Sequence, residues 1–266
     1  MEPWIVLLLA GSALLYVQGT VALWRRAGAG RGVERRHAAA FAAGWLITAI
    51  ALAPPIDPLG QQLFSMHMVQ HELLMVVAAP LLVLGRPFVA WSWAWPAAAR
   101  WVHRAFSGPW LGALWHHITS PLGAWLLHAA ALWTWHVPRF FEAALADTGV
   151  HEWQHASFFL SALLFWWSIL GRRTQGRAHA VALLSLFTTM LHTGVLGALL
   201  TLSPRVWYAA YEPTALALGF DPLHDQQLGG LLMWVPAGAT YIVAALAAAS
   251  HLLRSAPAAA VRHAPP

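Results

Sequence analysis

Two histidine pairs at helix-turn spacing hold most of the chemistry that this 266-residue sequence can offer. His67 and His71 stand four apart in FSMHMVQHELLMVVAAPLLVLG, and His151 and His155 do the same in HEWQHASFFLSALLFWWSIL. On a helix, residues four apart share a face with Cβ atoms roughly 5–6 Å from one another, a spacing that lets two imidazoles hold one metal ion. His136 in LWTWHVPRF, His192 in MLHTGVLG and Asp225 in DQQLGGLLMW are further candidate donors, and Met66, Met68 and Met75 flank the first pair. Imidazole suits copper and zinc, whereas thioether favours Cu(I). The sequence has no cysteine, so thiolate ligation and disulfides are excluded.

Other uses of the same residues are open. HEWQH fits the H-E-x-x-H pattern, in which two histidines bind zinc and Glu152 would be the general base of a hydrolase or protease, with Asp225 as a third ligand. A seven-span hydrolase with a His/Asp zinc site is a related option, and so is a b-type haem clasped between histidines of different helices. His128, Met190 and Met233 read as packing residues. His37, His116, His117, His179, His251 and His263 read as solvated groups at the opposite membrane face.

The elements that must position these residues are membrane helices. The chain is 59% hydrophobic and 9% charged, with a mean hydropathy of +0.57, which excludes an ordinary soluble domain and a disordered chain. Apolar stretches of about 20 residues recur, enough to cross a hydrocarbon layer about 30 Å thick. Seven spans are expected, at 4–24, 37–54, 64–84, 119–137, 153–171, 179–201 and 227–250, making an all-α polytopic bundle over 1–252. The first has no basic residues before it and Arg25 and Arg26 after it, so it reads as a retained span rather than a signal peptide.

Thirteen of the fifteen arginines fall in alternate connecting segments, and only Arg139 and Arg205 in the others. Positive charge collects on the cytoplasmic side, so the N-terminus is expected outside and the C-terminus inside. The basic residues are spread over several short loops rather than one patch, which argues against nucleic acid as a partner despite the high pI. Segment 85–118, rich in tryptophan and arginine, is expected to lie as a helix in the cytoplasmic headgroup layer, and the tail 253–266 to be disordered. On this topology five spans send His67, His71, His136, His151, His155, His192 and Asp225 into one outward layer. Ionisable groups at membrane depth read as functional by default. Apart from His128, Thr188 and Thr189, the inner halves are sparse in polar groups, which argues against a transport path. Asp225 is expected to orient an imidazole by accepting its N–H, and Gln226 and Gln227 to cap their span or line the mouth of the site.

The four segments MHMVQHELLMVVAAPLLVLGRP, LWTWHVPRF, HEWQHASFFLSALLFWWSILG and DQQLGGLLMW, in this order, resemble the multi-span CtaG family of cytochrome c oxidase (caa3-type) assembly factors. The resemblance covers roughly residues 57–250. It implies a protein of the bacterial plasma membrane that helps mature a haem–copper oxidase, with copper as the cargo and zinc the alternative, and with oxidase subunits or copper chaperones as partners. In the family's motifs stand His67 and His71, His136, His151 and His155, and Asp225 and Gln226. Glu152 is not among its hallmark residues, which implies an assembly role rather than catalysis.

Overall fold

A computed structural model of the chain describes residues 2–171 and 177–260, with side chains throughout except at 177–179 and 251–260. Among the described residues every regular element is helical: α1 (Pro3–Ala27), α2 (Arg35–Ala51), α3 (Phe64–Leu84), α4 (Pro87–Ala94), α5 (Pro96–Phe106), α6 (Pro109–Thr119), α7 (Pro121–His136), α8 (Pro138–Ala146), α9 (Thr148–Trp166), α10 (Arg177–Thr201) and α11 (Pro222–Ala260), with short turns at Ile56–Gly60, Ala209–Tyr211 and Glu212–Ala217. Each of the seven expected spans coincides with a helix. Four of these helices, α1, α3, α10 and α11, are long and apolar enough to cross a bilayer, so this is a membrane protein. Helices α2 and α7 have 17 and 16 residues.

Proline punctuates the chain. It starts seven of these helices, at Pro3, Pro87, Pro96, Pro109, Pro121, Pro138 and Pro222, where its missing N–H costs nothing and its fixed φ suits the first turn. Segment 85–118 is consequently three short helices rather than the one interfacial helix expected. Helix α11 is described to Ala260; of the tail expected to be disordered, residues 261–266 lie outside the described residues, as do His263 and the side chains of His179 and His251.

One proline lies inside a span and shapes it. Pro80 removes the amide that would bond the carbonyl four residues earlier and crowds that carbonyl, and α3 answers with a π turn at Leu73–Ala78. A π turn pairs each carbonyl with the amide five residues on, which for Met75 is again Pro80. The Met75 carbonyl is instead taken by the Trp166 indole of α9 at 2.9 Å, so that the interruption in α3 becomes a tether to α9.

Met75, Val76, Phe158, Phe165, Trp166, Leu186 and Tyr241 form the main core between α3, α9, α10 and α11. Helices α10 and α11 pack along much of their length. Their backbones meet at Gly230, where an added Cβ would lie 2.8 Å from the Gly197 carbonyl oxygen, the small-residue contact by which membrane helices approach closely. A second cluster of Phe64, Phe141, Tyr208 and Tyr211 closes the end of the bundle at which α3, α9 and α11 begin; the Phe141 and Tyr208 rings stack at 4.2 Å.

Candidate metal centre

The histidine pairs sit where two helices start and a third stops. Helix α3 begins at Phe64 because Leu63 is extended and because a carboxylate from α11 takes the first amides. The Asp225 side chain accepts from the amides of Phe64 (2.7 Å) and Ser65 (3.3 Å) and from the Ser65 hydroxyl, satisfying donors that have no partner within the helix. His67 and His71 therefore fall on the first two turns. Helix α9 is capped by its own Asp147, which accepts from the Val150 amide at 2.9 Å, and it presents His151 and His155 on one face. Helix α7 ends at His136 because Pro138 drives Val137 into extended backbone.

The two pairs face each other. Ring centroids are 4.2 Å apart for His67 and His71, 4.2 Å for His151 and His155, 5.0 Å for His71 and His155, and 5.4 Å for His67 with either His151 or His155. Donor nitrogens of His67, His151 and His155 all lie within 4.8 Å of one another, the only such group of three His, Asp or Glu among the described residues. All three helices leave the same ring atom free. The His67 Nδ1 lies 3.3 Å from the Gly60 carbonyl, which also accepts from the Tyr211 hydroxyl at 2.9 Å. The His136 Nδ1 lies 2.7 Å from the Leu132 carbonyl. A carbonyl can only accept, so in both rings Nδ1 carries the proton and Nε2 the lone pair, the tautomer a metal needs. Nε2 of His67, His71, His136, His151 and His155 is buried without a hydrogen-bond partner. Buried polar atoms are seldom left so, and five imidazole lone pairs in one region fit a cation.

Several expected donors are elsewhere. Asp225 is committed to capping α3, accepts no hydrogen bond from a histidine ring and is not part of the triad, which sets it apart from its expected roles as ligand and as imidazole acceptor; a carboxylate serving three donors at a helix start has little capacity left. His192 packs against Trp125 at 5.7 Å and joins neither the triad nor the small cavity described below, because α10 turns it toward α7. His136 is beside the cluster, with its ring 6.1 Å from Phe141 and 6.0 Å from Phe158. His128 bonds the Ser161 hydroxyl at 3.1 Å. Gln226 and Gln227 fasten the loop before α11: Gln226 accepts from the Trp207 amide and donates to the Arg205 carbonyl, while Gln227 donates to the Ser203 carbonyl.

Three residues escaped the sequence reading. Gln154 is fully buried with both amide atoms unpartnered. Gln70, also fully buried, donates to the Ala51 carbonyl (2.9 Å) and to Asp57 (3.1 Å), tying down the loop over His67. The signal was present: both helices carry the same H-x-x-Q-H string, at 67–71 and at 151–155. Glu72, an acid inside a span, lies next to His71 with one buried carboxylate oxygen unpartnered.

Two spaces adjoin the cluster. A groove of about 700 Å³, walled by Trp4, Ile5 and Leu8 of α1 and Phe159 and Leu160 of α9, reaches His151, Glu152 and His155. A small cavity of about 10 Å³ lies on the other side, between His71, His136 and α11.

A family model described as cytochrome c oxidase caa3 assembly factor (Caa3_CtaG) matches residues 14–255. Uncharacterised proteins of Mycobacterium bovis and Mycobacterium tuberculosis are each 26% identical over 237 residues, 84% of this chain and 34% of theirs, and one of Mycobacterium leprae is 27% identical over 235 residues. The chain thus spans about a third of the length of the curated relatives it matches. No solved structure matches it.

Proposed function

Because this chain belongs to the family of cytochrome c oxidase caa3 assembly factors, we propose that it holds copper at the facing histidine pairs and passes it to a haem–copper oxidase during assembly. The observation that carries the reading is the convergence of His67, His151 and His155 donors within 4.8 Å, their Nε2 atoms buried and free. In this reading the protein sits in the bacterial plasma membrane with seven spans, N-terminus outside. The arginine distribution supports that orientation, and it turns the triad outward. The client is an oxidase subunit or a copper chaperone, and no covalent chemistry is required.

The parts divide the work. His67, locked by Gly60, is the fixed ligand. His155 is buried, while His151 is only half-buried and borders the groove, so it is the ligand a partner can replace first. An all-imidazole set of three leaves a coordination position open for that exchange. The 700 Å³ groove is the route by which a donor or acceptor reaches His151.

A second reading rests on Glu152, which lines the groove beside His151 and His155. With His67 as third ligand, the H-E-x-x-H turn would form a zinc hydrolase. The two readings separate in a strain lacking the gene. Assembly predicts oxidase polypeptides made but poorly active, partial rescue by excess copper, no complementation by His67→Ala or His151→Ala, and near-full complementation by Glu152→Gln. Normal oxidase activity in the deletion strain overturns the assembly reading. Loss of complementation by Glu152→Gln with metal still bound decides for the hydrolase.

A further inference from the structure

The donors do not stop at the triad. His71 lies between two neighbourhoods: its ring is 4.2 Å from His67 and 5.0 Å from His155, and it also borders the small cavity toward the middle of the bundle. We propose that this cavity is a second ion site, specific for a soft monovalent cation such as Cu(I), formed by the thioethers of Met68, Met75 and Met233 with His71 and His136, and with Glu72 as counter-charge. The proposal rests on the copper reading above and extends it from one site to two of graded chemistry.

Three observations carry it. The first is composition. Met68, Met75 and Met233 all line this one cavity, half of the six methionines in the chain. Thioether ligands select Cu(I) over the divalent ions that imidazole and carboxylate accept. The second is orphaned polarity. Both ring nitrogens of His71, Nε2 of His136 and one oxygen of Glu72 are buried and unpartnered, and all three residues line the cavity. His136 is held by Leu132 with its lone pair free, as a ligand must be. A carboxylate at this depth is costly alone and far less so beside a cation. The third is size. About 10 Å³ holds one water-sized body, which admits a bare ion and excludes any organic ligand.

The donor sets differ in kind. Among the described residues only the outer triad has three His, Asp or Glu donors within 4.8 Å of each other; the deeper site needs sulfur to complete it, and Cu(I) accepts the low coordination numbers that such a site offers. Helix α3 supplies donors to both, with His67 facing the triad, Met68 and Met75 facing the cavity, and His71 standing between the two. An ion moving from the outer to the deeper site exchanges imidazole for thioether and gains His71.

The test uses the full chain, purified in detergent and titrated with Cu(I) under reducing conditions, and with Ag(I) as a redox-silent surrogate. Two ions per chain are expected, with sulfur scatterers in the X-ray absorption spectrum. Met68→Leu/Met75→Leu/Met233→Leu should bind one ion with nitrogen ligands only, since Met-to-Leu exchange conserves volume. His151→Ala should keep one ion with sulfur ligands. If the triple variant fails to fold, Met233→Leu alone, on a different helix from the paired histidines, must still lower the sulfur signal. One ion with nitrogen ligands only in the unmodified protein overturns the second site and leaves the triad standing. One ion with sulfur ligands overturns the triad as a copper site and keeps the deeper one. No bound copper overturns both.

Discussion

Replacing Asp225 separates a ligand from a cap. The buried carboxylate accepts from two amides at the start of α3 and from the Ser65 hydroxyl. A hydrogen bond to a charged group contributes about 1.5–3 kcal/mol, and a helix cap typically about 1 kcal/mol. The three contacts share one acceptor group, so they do not add in full. Asp225→Ala leaves the Phe64 and Ser65 amides unpaired in a dry environment and is expected to cost about 3–4 kcal/mol. Asp225→Asn keeps one acceptor oxygen of the same size and should cost roughly half as much. Unfolding by SDS in mixed micelles, followed through the 17 tryptophans, measures the loss. The metal-to-protein ratio of the folded fraction, read by mass spectrometry, should remain that of the parent, because the triad does not include Asp225. A stability within about 0.5 kcal/mol of the parent, which is the range of a neutral surface change, together with loss of metal would refute the cap and restore Asp225 as a ligand.

Three further outcomes follow from the same geometry. Metal held by neutral imidazoles competes with protons, so occupancy should fall on acidification; equilibrium dialysis over a pH series checks it, and release of metal on raising the pH instead would remove imidazole from the ligand set. His192→Leu should leave occupancy unchanged whereas His67→Ala lowers it sharply, and His67→Ala combined with His155→Ala should fall short of the sum of the single losses, because both act on one ion. With no native thiol in the chain, Ala146→Cys should react with an impermeant maleimide added outside and Arg100→Cys only after permeabilisation; the reverse pattern would invert the topology and turn the triad inward.

What the sequence alone determined is local. Hydropathy and length marked where the long helices lie, four of them long and apolar enough to cross a bilayer, because burial in lipid requires a continuous apolar stretch. The i, i+4 spacing put each histidine pair on one face because the helix repeat is fixed. The prolines that divide 85–118 are also legible, since each acts on its own backbone, and so are Glu72 and the repeated H-x-x-Q-H. Which side chains meet was a different matter. Asp225 lies 160 residues from Ser65, and nothing near either position tells a ligand from a cap. His192 packs against Trp125, eleven residues and so about 16 Å along α7 from His136, because the depth and rotation of α10 are set where Gly197 meets Gly230 on α11. The small cavity exists only because α3, α7, α10 and α11 converge there. Helical periodicity fixes the angle between residues on one helix, whereas the angle between helices is set by packing, and it is packing that turned two separate pairs into one centre.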